Sequence, residues 1–323
     1  MHLLFLEKLM QKSLSTIFLR ILLTIASLFV IVIITHLFLD YAMNTTQTSV
    51  EIYRNLFVFL FDILIFKFGN LRNHFLQLNY SGVTQLFFSY FKWSLALIVP
   101  SVLLGTILGF ILGYFSAKRQ SFWFNLFLNF FIFSFATLPI FIIIPIIMEI
   151  SEALDIPIQF IEPSDLGFGF TLLSLMLPIL LMSIQISGIF ALYVKTRAIV
   201  ILNSTYVLYC KTIGLSDFAI FRKAIFKNLC LSLLGILTSL IALSLSYSLI
   251  IERLFQIKGQ SVILLNAFEW KEIDLVTFLI LFLGFILFTM QFIFETLEEI
   301  LRDQIQFRKL KKKGKYGKAI QFC

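Results

Sequence analysis

Residue types that carry covalent chemistry are sparse in this sequence and badly spaced for it. The three histidines, His2, His36 and His74, and the three cysteines, Cys210, Cys230 and Cys323, are scattered. No pair of them has metal-ligand spacing, and no disulfide framework emerges. There is no Gly-rich phosphate loop, no G-x-S-x-G and no H-E-x-x-H. The expectation is a chain with no catalytic residue, no metal and no cofactor of its own, neither an enzyme nor an ATPase. The chemistry left is recognition. Apolar residues interleave with Lys195, Arg197, Lys211, Arg222, Lys223 and Lys227 in a single stretch. Its spacing predicts two short helices, Asn203–Ile213 and Phe218–Asn228. Gly214 stands at the C′ position of the first, and Ser216 or Asp217 caps the second. Such a stretch is either a solvated helix pair or a docking element for a partner. Arg222, Lys223 and Lys227 suit acidic groups of a partner, topology or lipid headgroups equally. Just downstream, Ser232, Gly235, Ser239, Ala242 and Ser246 recur at spacing 3-4-3-4, a small-residue seam on one helix face. It fits tight packing or the wall of a weakly polar pathway.

The elements that position these residues follow from composition. Of 323 residues, 59% are hydrophobic, 40 are Phe, and only 14% are charged, against about a quarter in soluble domains. A soluble fold cannot hide that much apolar surface, and a disordered chain would be polar. Six apolar runs are each long enough to cross a hydrocarbon core, which takes about 20 helical residues: Ile17–Leu39, Trp93–Phe115, Phe122–Met148, Phe170–Tyr193, Leu229–Ile251 and Leu275–Phe294. The first is read as a retained span and not a cleaved signal peptide, being longer than an h-region. A seventh run, Phe57–Phe66, is short, contains Asp62 and reads as a loop helix. None of the runs alternates, which excludes a β-barrel. Gly105, Gly109 and Gly113 mark a close helix–helix contact. Pro139, Pro145 and Pro178 predict bends.

Charge then orients the chain. Nineteen Lys and Arg fall on the side of the termini and seven on the other, so the positive-inside rule places both termini in the cytoplasm. The segment Glu149–Gly169, with five acids and no base, falls outside. The apolar runs hold no Asp or Glu and no Lys or Arg well inside, which argues against an ion-coupled carrier and for energy drawn from another chain. The expected layout is a cytoplasmic segment 1–16, a first span 17–39, an external loop 40–92, a five-helix core 93–308 with a cytoplasmic loop 195–228, and a basic tail 309–323. The tail suits anionic lipid, and the charge carries no nucleic-acid signal.

Tyr206-Val-Leu-Tyr-Cys-Lys-Thr-Ile-Gly-Leu-Ser216 resembles the D-Y-V-R-T-A-R-A-K-G-L-S signature of binding-protein-dependent ABC importer permeases, in the dipeptide, oligopeptide and nickel family. Tyr206, Val207, Lys211 (for Arg), Gly214, Leu215 and Ser216 match, and Thr205 stands near the acidic position. Arg222-Lys-Ala-Ile-Phe-Lys-Asn228 resembles R-H-A-L-R-N. In order along the chain, Phe68-Gly-Asn-Leu71 with Phe75 resembles G-D-L-G-x-S-F, and Gly109–Gly113 with Lys118-Arg119 resembles G-I-P-L-G…R-R. Leu138-Pro-Ile-Phe141 resembles I-P-S-F, and Glu252-Arg-Leu-Phe255 with Gly259 resembles E-x-V-F-x-W-P-G, Lys258 replacing the proline.

The resemblance implies an all-α integral membrane protein of the bacterial cytoplasmic (inner) membrane, a B-type subunit with a type I importer fold of six transmembrane helices. It implies a permease for oligopeptides or dipeptides, with a nickel or metal chelate as the alternative cargo. A non-transporting membrane scaffold is the alternative from a different class. The implied partners are a second permease, two ABC ATPases that bind ATP and Mg, and an extracytoplasmic substrate-binding protein that meets the external loop. By the same resemblance Tyr206, Val207, Lys211, Gly214, Leu215, Ser216, Arg222 and Lys223 form the coupling element that docks on an ATPase subunit.

Overall fold

A computed structural model describes residues 2–43, 49–118 and 122–315, all helix and connecting turn, with no strand among them. Arg119 of the expected turn at Ser116–Ser121, part of the external loop (44–48) and the end of the basic tail (316–323) lie outside the described residues, as do the side chains of Lys8, Lys12 and Lys309. The order is α1 (His2–Met43), α2 (Ser49–Leu64), α3 (His74–Asn79), α4 (Val83–Lys118), α5 (Phe122–Thr137), α6 (Ile140–Ala153), α7 (Pro163–Leu166), α8 (Phe168–Leu202), α9 (Thr205–Thr212), α10 (Asp217–Ile220), α11 (Phe226–Leu254), α12 (Gln260–Glu269) and α13 (Ile273–Lys315). The loop helix expected at Phe57–Phe66 is the longer α2, and α3 and α12 were not foreseen.

Five stretches are long and apolar enough to cross a membrane: 18–43, 83–118, 168–202, 217–254 and 273–302. The expected third span, Phe122–Met148, is instead α5 and α6, bent by 102° at the Leu138-Pro139 break. The pair makes a sixth crossing if it counts as one. The cause is local. Proline disfavours helical backbone at the residue before it, and Pro139 itself is extended (φ −64°, ψ 125°) as the N-cap of α6. Ile142 donates its N–H to the Pro139 carbonyl at 3.0 Å. The Leu138 carbonyl takes a hydrogen bond from the Gln185 amide of α8 at 3.4 Å.

The chain divides into two compact units, Met1–Phe91 with Val262–Phe292, and Lys92–Ser261 with Ile293–Cys323. In the second unit the α4 glycines lie against α8 as their spacing predicts. A Cβ on Gly105, Gly109 or Gly113 would stand 2.8 Å from Ile186 Cβ, 2.7 Å from the Ser187 carbonyl and 2.5 Å from the Ala191 carbonyl. The two backbones are thus in contact along three turns, where dispersion and not hydrophobic burial holds helices together in lipid. On another face of α8, Gly188 lies against the backbone of Phe135 and Ala136 in α5.

In the first unit Phe87 anchors an aromatic cluster, with Phe91, Phe278 and Phe282 at 4.9–5.0 Å between ring centroids. Beside it, two carboxylates hold the connection between α2 and α3. Buried Glu272 accepts from the backbone N–H of Arg72 at 2.8 and 2.9 Å and of Asn73 at 2.5 Å. Asp274 accepts from the Asn70 N–H at 3.1 Å and faces His36 Nε2 at 3.6 Å. Gly69 sits at φ +78°, and a Cβ there would be 2.5 Å from the Asp274 carboxylate, so both conformation and space require glycine. Asp40 is buried within α1 and takes a hydrogen bond from Asn55 at 3.2 Å. The absence of acids from the spans therefore holds for the apolar runs and not for the helices, which extend beyond them.

Gly109→Val will destabilise the fold by at least about 2 kcal/mol through overpacking, seen as lost detergent-extracted monodisperse protein at 37 °C. Glu272→Ala strands two backbone donors, the amides of Arg72 and Asn73, and will cost about 3 kcal/mol. Limited proteolysis will then cut first between residues 66 and 74.

Candidate functional site

The stretch with the strongest sequence signal folds into a helix, a sharp turn and a second helix that does not stop. Ser204 precedes α9, and Val207 and Cys210 form its buried face. The helix ends in a Schellman turn: the Gly214 N–H donates to the Lys211 carbonyl at 3.1 Å, and the Leu215 N–H to the Cys210 carbonyl at 3.3 Å. Gly214 is at φ +77° with open space where a side chain would be, so conformation alone selects glycine there. Ser216 then caps α10, its hydroxyl accepting from the Ala219 N–H at 3.4 Å.

The second helix differs from expectation. The predicted Phe218–Asn228 segment is not a separate loop helix: α10 runs through a π-helical turn, Phe221–Ile225, directly into α11. Residues 217–254 thus form one long element. Aromatic packing explains the join. Phe221 contacts Tyr114 at 4.8 Å and Phe226 at 5.7 Å, and Phe226 contacts Phe110 at 5.8 Å. Phe110, Tyr114 and Phe221 line a cavity of about 440 Å³ at the end of α4. At its edge Lys118 donates to Asp217 at 3.0 Å.

The structure brings some of the predicted residues together and not others. Tyr206 is half-buried, and its hydroxyl accepts from the Asn228 amide at 3.2 Å, joining α9 to the first turn of α11. Leu215 is half-buried. Lys211, Gly214, Ser216, Arg222 and Lys223 point outward, as do the apolar Leu208, Tyr209, Ile213 and Phe218. The seam lies elsewhere: Ser232, Gly235, Ser239 and Ser246 are exposed and Ala242 is half-buried. No described atom lies within 4 Å of a Cβ built on Gly235. The other face of α11, with Leu229, Leu233, Leu240, Ser244 and Ser248, is the one buried in this chain.

Residues 105–306 match the family described as binding-protein-dependent transport system inner membrane component. The chain belongs to this family. The oligopeptide transport system permease protein OppB of Mycoplasma genitalium is 28% identical over 203 residues, 62% of this chain and 50% of the relative. Its namesake in Mycoplasma pneumoniae is 28% identical over 158 residues, 48% of this chain and 41% of the relative. A putative peptide transport system permease protein of Brucella abortus is 22% identical over 134 residues, 42% of this chain and 43% of the relative. The chain thus spans half or less of the length of these curated relatives. All three are named as permease proteins, components of transport systems.

The matched segment of this inner membrane component contains both the α9–α10 turn and the seam. It also contains polar groups that sequence reading passed over. Lys195, read as one of the basic residues of the cytoplasmic loop, donates to Asn129 at 2.5 Å, and Ser116 donates to Asn125 and Asn129 at 3.1 and 2.9 Å. The spacing of Asn125 and Asn129, one turn apart on an aromatic helix, was the available signal. Glu252 and its neighbours were visible only as a motif fragment.

Tyr206→Phe removes the acceptor for Asn228 and will loosen α9 by about 1 kcal/mol. Backbone amides 207–213 will exchange faster, with those of α8 unchanged.

Proposed function

We propose that this chain is the membrane permease subunit of an ATP-driven importer of oligopeptides or dipeptides. The observation that carries the reading is the geometry after α8. A short helix, fixed by a buried face, a Schellman turn and the Tyr206–Asn228 bond, presents Leu208, Tyr209 and Lys211 outward with Ile213 at its end, and Arg222 and Lys223 stand exposed on the π turn that follows. It is joined by the Gly214 turn to an element that runs unbroken from Asp217 to Leu254. A rigid outward helix continuous with a membrane-length rod is what force transfer from a soluble motor requires. The names of the relatives support peptides as the cargo.

In this reading both termini lie in the cytoplasm, and α9 docks on one of two ATPase subunits that supply ATP and Mg chemistry. The face of α11 bearing Ser232, Gly235, Ser239, Ala242 and Ser246 lines the pathway shared with a second permease. A substrate-binding protein docks on the external loop 40–92. Closure of the ATPase pair pulls α9, and α11 moves with it. The chain's own residues bind no nucleotide.

Gly214→Asp tests the coupling role. The variant will insert and co-purify with its partner subunits at wild-type levels, yet substrate will no longer stimulate ATP hydrolysis and peptide uptake will fall to background. Unchanged stimulation together with unchanged uptake would count against α9 as the coupling element. Failure of the wild-type chain to co-purify with any ATPase subunit would count against the permease reading itself.

A further inference from the structure

A polar knot used by neither the coupling element nor the seam joins α4, α5 and α8. Ser116 of α4 is buried, and its hydroxyl is shared between Asn125 Oδ1 at 3.1 Å and Asn129 Oδ1 at 2.9 Å. The Asn129 amide donates to Asn125 Oδ1 at 3.3 Å, and the half-buried Lys195 ammonium donates to Asn129 Oδ1 at 2.5 Å. Each amide oxygen thus accepts from two donors. An ammonium and an amide nitrogen carry more hydrogens than these bonds use. What the knot still offers is therefore N–H, on Lys195, Asn125 and Asn129. Among the described residues no carboxylate pairs with Lys195.

The apolar runs place this knot at the edge of the hydrocarbon. Ser116 directly follows the run in α4, and Lys195 is the first charged residue after the run in α8. The surface beside the knot is apolar. Phe122, Leu126 and Phe133 stand one or two turns from Asn129 on α5, Leu192 and Ile199 stand one turn from Lys195 on α8, and all five are exposed. A cation among such side chains at the end of a span faces lipid headgroups. Water there would take the spare hydrogens and leave the charge unbalanced. A lipid phosphodiester offers oxygens to the ammonium and the amides together, and it carries the single negative charge that the knot lacks.

We propose that Lys195, Asn125 and Asn129 form a headgroup site that takes the phosphate of an anionic phospholipid and fastens α4, α5 and α8 together at the membrane boundary. The inference is independent of the transport reading, because its readout needs neither ATP nor peptide. The full chain, freed of lipid in a mild non-ionic detergent, is unfolded thermally at constant ionic strength with added phosphatidylglycerol, phosphatidylcholine or inorganic phosphate. The wild-type midpoint will climb with the logarithm of phosphatidylglycerol concentration, climb much less with phosphatidylcholine and ignore inorganic phosphate. Lys195→Gln, which keeps a donor and removes the charge, will need about tenfold more phosphatidylglycerol for the same midpoint, and Lys195→Arg will stay near wild type. Arg197→Gln makes the same charge change two residues on and will respond as wild type does, which separates this site from the general attraction of a basic chain for anionic lipid. Asn129→Asp supplies Lys195 with a carboxylate from within, and its response to phosphatidylglycerol will fall to that of phosphatidylcholine. Identical titrations of wild type and Lys195→Gln overturn the proposal, as does an equal loss in Arg197→Gln or an equal wild-type response to phosphatidylcholine. A wild-type midpoint that climbs as much with inorganic phosphate assigns the place to a free anion and overturns the lipid. If Lys195→Gln does not fold, Asn129→Asp decides, and a wild-type response there refutes the site.

Discussion

In hydrocarbon an unpaired backbone N–H or carbonyl has no water to turn to, so every break in a helix must be closed from within the protein. That constraint organises this molecule. Where Pro139 ends α5, the stranded Leu138 carbonyl is met by Gln185. At Gly214 the last carbonyls of α9 are met by the next two backbone amides. Where the chain runs between α2 and α3, the amides of Asn70, Arg72 and Asn73 converge on Asp274 and Glu272. After α11, Glu252 and Ser94 take the amides that begin α12. The acids absent from the apolar runs are thus placed at run ends, where they accept from turns.

Two features keep the long helices of the second unit stiff. The backbones of α4 and α8 touch through Gly105, Gly109 and Gly113, and that contact leaves no room for sliding without a clash. The second is the π turn at Phe221–Ile225. A π turn holds an extra residue per turn at the cost of poorer packing along the axis, and here aromatic rings fill the widened side. On the proposed reading the filled π turn passes movement of α9 on to α11 without a break.

Much of this was legible in residue types. Glycines at spacing four predicted the α4–α8 contact, because only the absence of a Cβ lets backbones meet. Gly214 announced a helix end because its conformation is local. What stayed hidden depended on distant partners. The break at Pro139 read as a bend, since the chain cannot reveal that Gln185, 47 residues on, stabilises a full 102° turn. The role of Glu272 was hidden because its donors lie about 200 residues away. The continuity of α10 with α11 was masked by basic residues that composition assigns to a loop, although aromatic packing carries the helix through them. The seam was visible as a pattern but its direction was not, because small residues serve contact and exposure equally well.

The direction of the seam bears on energetics. A helix face in lipid gains from long apolar side chains, whereas the exposed face of α11 carries Ser232, Gly235, Ser239 and Ser246 beside Leu243 and Ile250. Each serine hydroxyl there is occupied by its own helix where a bond is seen: Ser232 donates to the Leu229 carbonyl at 2.8 Å and Ser246 to the Ala242 carbonyl at 3.2 Å. The face is therefore smooth and weakly polar, with lone pairs still free to accept and no fixed charge to trap a ligand. A surface of that kind passes a neutral or zwitterionic backbone without binding it tightly. It offers no handle for an ion gradient, so on the proposed reading direction must come from movement of α11 itself, delivered through α9.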